Sequence, residues 1–210
     1  MKLAVLGATG RTGSLLVEEL LRRGHDLTVL ARSPEKLAGL ADRVHVVTGS
    51  STDPAALDAL LNGGMDAVVS ALGPTRKEPD LHTRTATALI EAMHAHDVHR
   101  FVGISGAGID VPGDRKGARD KVFSFLIQKL GGAVVADKPR EYQVFADSDI
   151  EFTLVRPPRL VDGPAIGRYV HDAHTPGKSP RISRADLAAF LADVVEQGSY
   201  PRQAPFVNGG

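Results

Sequence analysis

The chain has 210 residues, and its 25 Lys plus Arg balance 25 Asp plus Glu, for a formal net charge of zero. Such a balance gives no net field to gather nucleic acid or an anionic membrane surface, and the absence of cysteine excludes disulfides, thiolate metal sites and a cysteine nucleophile. No apolar stretch approaches the ~18 residues of a membrane span, and the few residues before the first glycines are too short for a signal-peptide core, so a soluble cytoplasmic protein is expected. No Pro/Ser-rich linker or charge block divides the chain, which reads as a single domain, residues 1–210.

The first apolar run, Lys2 to Leu6, reads as a strand and leads directly into G-A-T-G-R-T-G at 7 to 13. Glycines spaced by three between a strand and a helix are the setting of a dinucleotide site. Gly7 permits the sharp turn, Gly10 lets the backbone approach a pyrophosphate, and Gly13 lets the helix pack closely on the strand. The helix, Thr12 to Arg23, carries Leu15, Leu16, Glu19 and Leu20 at helical spacing and stops at Gly24. Its first N–H groups and its dipole would face the phosphates.

A second strand, Asp26 to Leu30, runs into Ala31-Arg32-Ser33, with Lys36 one helical turn further on. NAD-binding folds usually place an acidic residue at this point to accept from the ribose hydroxyls. Here two cations stand where a 2′-phosphate would project, which favours NADPH over NADH as cofactor, with Arg11 a third candidate cation. After a third strand, Val44 to Thr48, Ser50 and Ser51 could touch the adenine or begin the turn into Asp53-Pro54, which caps a helix Ala55 to Leu61. A fourth strand, Ala67 to Ala71, continues as Leu72-Gly73-Pro74, expected to run along the cofactor's middle with no bulky side chain at Gly73.

Next come a helix, Thr83 to Ala95, with Ala86, Leu89, Ile90 and Met93 on one face, and a fifth strand, Phe101 to Ser105. Ser105, at the strand's carboxyl end, is either the candidate catalytic group beside the nicotinamide, able to orient a water or bond the carboxamide, or a strand-end hydroxyl bonded to backbone. Strands Phe152 to Arg156 and Phe206 to Asn208 flank a helix, Arg184 to Glu196, for which Ser183 is the expected N-cap with Asp186 at N3. Residues 106–118 and 157–181 are rich in Gly and Pro and read as irregular substrate-side loops. Strand and helix signals alternate throughout, which predicts an α/β fold: a Rossmann-like, doubly wound parallel sheet with helices on both faces.

Dehydrogenases that interconvert alcohols and ketones pair Tyr with Lys four residues on, but Tyr142, Tyr169 and Tyr200 are followed at that spacing by Ala146, Ala173 and Ala204. His94, His96 and His99 do not converge on one helix face, and His171 and His174 sit in a Pro/Gly loop, so no metal site is expected. No G-x-S-x-G elbow is present.

With these residues in view, the chain resembles the atypical short-chain dehydrogenase/reductases of the NAD(P)H-binding, NmrA-like branch, most of all its flavin- and biliverdin-reducing members. The shared motifs are G-A-T-G-R-T-G at 7 to 13, V-L-A-R-S at 29 to 33, A-L-G at 71 to 73, R-P-P at 156 to 158 and R-I-S-R-A-D-L at 181 to 187. The resemblance implies a monomeric reductase passing hydride from NADPH to a flavin, tetrapyrrole or quinone-like acceptor. Carried over by position, Thr9, Gly10, Arg11 and Thr12 line the diphosphate, Arg32 and Lys36 hold the 2′-phosphate, and Gly73, Lys138, Arg159 and Leu160 lie near the rest of the cofactor or the substrate mouth. Three departures stand out: Gly49-Ser50 where the family commonly has Asp after the glycine, Ser105-Gly106 where it often has a hydroxyl pair, and Arg159 at the position of a substrate-side His. The same branch keeps a second class open, a non-catalytic NADP(H)-sensing regulator.

Overall fold

The computed structural model describes residues 1–75, 77–117 and 132–210; residue 118, the last of the first Gly/Pro-rich loop, lies outside the described residues. Six strands make one parallel sheet: β1 (Lys2–Leu6), β2 (Asp26–Ala31), β3 (His45–Thr48), β4 (Ala67–Ser70), β5 (Arg100–Ile104) and β6 (Glu151–Val155). Their order is β3-β2-β1-β4-β5-β6. The chain steps outward from β1 to β3, then crosses back over to β4, so the direction of winding reverses beside β1. In open α/β sheets the ligand crevice lies at that reversal, outside the carboxyl ends of the strands.

Successive side chains of a strand point to opposite faces, and both faces of β1 are covered. Leu3 and Val5 enter one core with Leu16, Val17 and Leu20 of α1 (Arg11–Arg22) and with Leu187, Phe190 and Leu191 of a late helix. Ala4 and Leu6 enter the other with α2 (Pro54–Leu61), α3 (Leu81–Ala95) and Phe145 of α4 (Gly132–Ala146). The late helix is α5 (Arg184–Gln197). This is the Rossmann-like, doubly wound arrangement, and the expected boundaries shift by at most two residues at any strand or helix end.

Local chemistry explains the ends. Gly24, at φ +84°, turns the chain out of α1. Asp53 caps α2 by accepting from the Ala55 N–H at 3.1 Å. Ser183 caps α5, its Oγ accepting from the Asp186 N–H at 2.9 Å. Asp186 then departs from an ordinary capping box, because its Oδ1 accepts from the N–H groups of Ile166 and Gly167, each at 2.9 Å. That buried carboxylate therefore pins the 163–167 stretch to the helix.

Two expectations need correction. Residues 157–181 are not wholly irregular: β7 (Arg159–Val161) pairs in parallel with β9 (Arg181–Ser183), and β8 (Tyr169–Asp172) lies within the stretch. Local composition is blind to such pairings, which join residues more than twenty apart. The last strand, β10 (Phe206–Gly209), is not a strand of the main sheet but runs antiparallel to β8. The chain before it follows β6 only through two isolated bridges, Thr153 to Gln203 and Arg156 to Phe206. The Gln203 and Pro205 carbonyls accept from the N–H groups of Leu154 and Arg156, but Pro205 has no N–H to donate between them, so the ladder is interrupted there. A segment of 3-10 helix, Pro34–Arg43, also joins β2 to β3.

Candidate functional site

Parallel register sets the site. Leu6 lies level with Leu30 on β2 and with Ser70 on β4, so the chain leaves three neighbouring strands at one height. Gly7, Ala31-Arg32 and Ala71-Leu72 are thereby brought to one edge. Here Gly7 adopts φ +77°, and a Cβ on it would stand 2.7 Å from the Ala71 carbonyl carbon and from the Leu72 nitrogen. Only glycine satisfies both demands. A Cβ on Gly13 would lie 1.9 Å from the Gly7 oxygen, so α1 is packed directly on the turn. A Cβ on Gly10 would meet only that oxygen, at 3.3 Å, which leaves its outer side open.

The turn is held by the Gly10 N–H donating to the Gly7 carbonyl at 3.0 Å. Gly10 is the N-cap of α1, and no side chain caps the helix. Its first-turn N–H groups and the positive end of its dipole are thus directed at whatever lies over the turn, which is the physical basis of anion binding there. A shallow cleft open to solvent lies at this edge, lined by Gly7, Thr9, Arg32, Ser33, Lys36 and Ser51 among others. Leu6, Leu30, Ala31, Gly49 and Leu72 complete the wall with apolar and small residues. A cleft that joins apolar and small residues to two cations, beside the uncapped N-terminus of α1, matches the chemistry of an adenosine bearing phosphates.

The other residues picked from the sequence distribute as follows. Thr12 is buried in the first turn of α1, beside Gly10 and Gly13. Arg11 is not among the residues lining the cleft and stands 3.7 Å from Asp162, which also accepts from Arg184 at 2.7 Å. Ser50 Oγ lies 3.0 Å from Thr52 Oγ1, and Ser51 Oγ lies 2.9 Å from Thr85 Oγ1, so both hydroxyls are engaged in holding the turn and the start of α3. Among the described residues nothing lies within 4 Å of a notional Cβ on Gly73, which leaves space beyond Leu72. Arg159 is exposed on β7, and Leu160 is half-buried against the first core.

Lys138 belongs to a second group of polar residues at the carboxyl end of β5. Its Nζ donates to the Ile104 carbonyl at 2.8 Å and to Glu141 Oε2 at 2.8 Å, and it lies 3.0 Å from His82 Nδ1. Next to Ile104 is Ser105, buried, its Oγ without a partner among the described residues; the same is true of His82 Nε2. Asp137 fastens this group to α3, accepting from the His82 N–H at 2.8 Å and the Thr83 N–H at 3.2 Å. Sequence reading missed His82 and Glu141, although Lys138 and Glu141 one helical turn apart were a usable signal.

Glu141 gives a pH prediction. Burial by itself would raise its pKa, but the Lys138 ammonium and His82 outweigh that and hold the carboxyl below the usual carboxylate range. A group whose folded pKa is depressed contributes stability that is complete above its unfolded pKa and is lost as pH falls through the folded one. Glu141→Gln is therefore expected to cost about 3 kcal/mol at neutral pH. The gap to the parent protein should narrow on acidification below about pH 4.5, where the unfolded carboxyl takes up its proton. Urea unfolding at neutral and acid pH measures this, and a gap independent of pH would contradict it.

The tyrosines are occupied elsewhere. Tyr142 packs edge-on against Phe152, Tyr169 donates to Asp193, and Tyr200 lies 2.6 Å from His171 Nδ1. Burial pushes all three phenols above their usual range, the opposite of what an acid catalyst needs. Three surface histidines pair separately: His94 with Asp149, His96 with Asp58 and His99 with Asp97. Among the described residues no group of three or more His, Asp or Glu is placed to hold a metal ion, and no helix is long and apolar enough to cross a membrane.

Residues 7–198 match the model of a family described as NAD(P)H-binding. An uncharacterized chloroplastic protein of Arabidopsis thaliana is 30% identical over 203 residues, covering 91% of this chain and 70% of that one. The chloroplastic divinyl chlorophyllide a 8-vinyl-reductase of Oryza sativa subsp. indica is 29% identical over 219 residues, covering 91% of this chain and 50% of that one. This chain therefore spans only half the length of that reductase. A solved structure from Streptococcus pneumoniae, described as a candidate NADH-flavin reductase, has a TM-score of 0.77 at 23% identity and covers 100% of both chains; at that identity it shows the fold.

Proposed function

The chain belongs to the NAD(P)H-binding family, and from that premise we propose that it is an NADPH-dependent oxidoreductase acting on a flavin, tetrapyrrole or quinone-like acceptor. The observation that carries this reading is that the pair Arg32 and Lys36 lines the same cleft as the glycine turn. Two cations there can hold a 2′-phosphate, and a charge-assisted bond of this kind contributes about 1.5–3 kcal/mol. A relative named as a reductase supports the class of reaction.

When bound, the reduced nicotinamide supplies the hydride. The residues of this chain position it. The N–H groups over Gly10 hold the diphosphate, Leu72 and Gly73 leave room along the middle of the nucleotide, and Ser105 Oγ, without a partner among the described residues, is a hydrogen-bonding group at the carboxyl end of β5. With no lysine four residues after any tyrosine and the Tyr169 and Tyr200 hydroxyls bonded elsewhere, this reading draws on no Tyr-Lys proton donor. An acceptor whose reduced form is already a stabilised anion needs none from the protein, since water can supply it.

Arg32→Ala tests the phosphate clamp. Titration should show NADPH affinity falling roughly ten- to hundredfold and NADH affinity changing by less than about threefold. Equal losses for both nucleotides would remove the assignment. Turnover is tested by NADPH oxidation with FMN and with a quinone; tight binding without turnover across such acceptors would instead favour an NADP(H)-sensing regulator.

A further inference from the structure

The end of β2 has no acidic residue, yet a carboxylate stands there in space. It comes from Glu78, 46 positions further along the chain, whose Oε2 accepts from Arg32 Nη1 at 3.0 Å. Glu78 is set by a short turn after β4: it bridges antiparallel to Thr75, and its carbonyl accepts from the Leu81 N–H at 3.2 Å where α3 begins. The Arg32 side chain is 64% exposed and that of Glu78 only 27%, so the carboxylate is the better anchored partner and the guanidinium the more movable one.

A 2′-phosphate and this carboxylate would call on the same guanidinium. A phosphate dianion settling beside Arg32, Ser33 and Lys36 must displace Glu78 or bear its like charge at close range. A nucleotide with a free 2′-hydroxyl meets no such conflict, because a carboxylate can accept from that hydroxyl, as the acidic residue at the end of β2 does in NAD-binding folds. Glu78 thus occupies, from a different part of the chain, the role whose absence from β2 was read as a preference for NADPH.

We propose that Glu78 sets the coenzyme preference of this cleft: its ion pair with Arg32 opens for a 2′-phosphorylated nucleotide and persists for NADH. The inference rests on the cleft being the nucleotide site and adds the residue that tunes it. The pair is solvent-exposed and screened, so the change is expected to be moderate.

The experiment is calorimetric titration of the parent protein, Glu78→Gln, Arg32→Ala and the double variant with NADPH, NADH and 2′,5′-ADP. Glu78→Gln should tighten NADPH and 2′,5′-ADP by roughly three- to tenfold at low ionic strength, with NADH unchanged or weakened by up to about threefold. In the Arg32→Ala background the same substitution should shift the NADPH to NADH ratio by a different factor than in the parent, because competition for the guanidinium is gone and only the direct charge of Glu78 remains; equal shifts in both backgrounds would show that the ion pair plays no part. If both nucleotides bind the parent protein and Glu78→Gln leaves their ratio within about twofold, the role of Glu78 is overturned while the cleft assignment stands. If neither nucleotide binds the parent protein, the cleft assignment fails and the inference falls with it.

Discussion

Gly13→Ala is expected to abolish measurable nucleotide binding and to lower stability together, whereas Gly10→Ala should affect binding alone. The contrast follows from where each Cβ would go. At position 13 it would lie 1.9 Å from the Gly7 oxygen and 2.7 Å from the Gly7 carbonyl carbon, both backbone atoms of a turn that cannot retreat. Behind Gly7 stand the Ala71 carbonyl and the Leu72 nitrogen, so the turn is wedged between α1 and the end of β4. Either α1 lifts off β1, opening the packing of Leu16, Val17 and Leu20, or the turn distorts and the cleft loses its floor. Overpacking of this kind costs about 1–3 kcal/mol, and a displacement of about 1 Å in a positioning element costs on the order of a hundredfold in function. At position 10 the backbone is extended, with φ −82° and ψ 164°, and an added methyl meets only one atom at 3.3 Å. It protrudes instead into the space where a pyrophosphate would approach. Thermal unfolding should place Gly10→Ala within about 1 kcal/mol of the parent, and titration with NADPH should show both variants impaired by about a hundredfold or more. A Gly13→Ala protein with parental stability and affinity would contradict the role given to the turn.

How far the sequence could be read depended on whether the cause of each feature was local. The six sheet strands, α1, α2, α3 and α5 were legible because each is a run of apolar side chains with the right period, closed by a residue of known habit: Gly24, Asp53 or Ser183. The glycine turn was legible for the same reason, since the positive φ of Gly7 and the contact of Gly13 with the Gly7 oxygen fall within seven residues, although the Ala71 and Leu72 backbone that also closes on Gly7 does not. By contrast α4 carries Pro139 within it and a mixture of charged and small residues, so its sequence has little periodic signal. The spacing of Lys138 and Glu141 hints at the polar group on that helix, but its burial and its partners show only once Ile104 and His82 are brought against Lys138. Glu78 was illegible outright. Nothing in E-P-D-L marks it, and it matters only because the register of β1 with β2 and β4 sets the turn after β4 beside Arg32. Electrostatic roles assigned by position along one strand are therefore open to revision by charges arriving from the next crossover.

Asp114→Ala should be the most destabilising change outside the glycine turn, because it strands a cation in the core. Arg156 is fully buried at the end of β6, the first residue of the R-P-P motif. Asp114 meets it in a two-pronged pair, Nη1 to Oδ2 and Nη2 to Oδ1, each at 2.7 Å. Nε donates to the Ala204 carbonyl, and the guanidinium lies 3.7 Å over the Phe206 ring. Longer bonds at 3.3 Å reach the carbonyls of Ile109 and Ala173. The pair thus ties together the loop after β5, the chain after β8 and the segment entering β10. Removing one partner of a buried pair costs about 3–5 kcal/mol, since the remaining charge has neither water nor a counter-ion. The cost belongs to the stranded charge rather than to the attraction itself. Accordingly the double variant Asp114→Ala, Arg156→Met should recover at least half of the loss, as a buried pair replaced by apolar groups is often neutral. Urea unfolding of the parent, the single variant and the double variant gives the three numbers. A single variant within about 1 kcal/mol of the parent would show that water or another carboxylate reaches Arg156. The nucleotide cleft lies across β1, β2 and β4, away from this pair, so the affinity of folded Asp114→Ala for NADPH should stay within about twofold of the parent. If the loops it anchors form the acceptor's wall, acceptor turnover should fall while nucleotide affinity holds, and that split between KM for the acceptor and affinity for NADPH separates the two sides of the site.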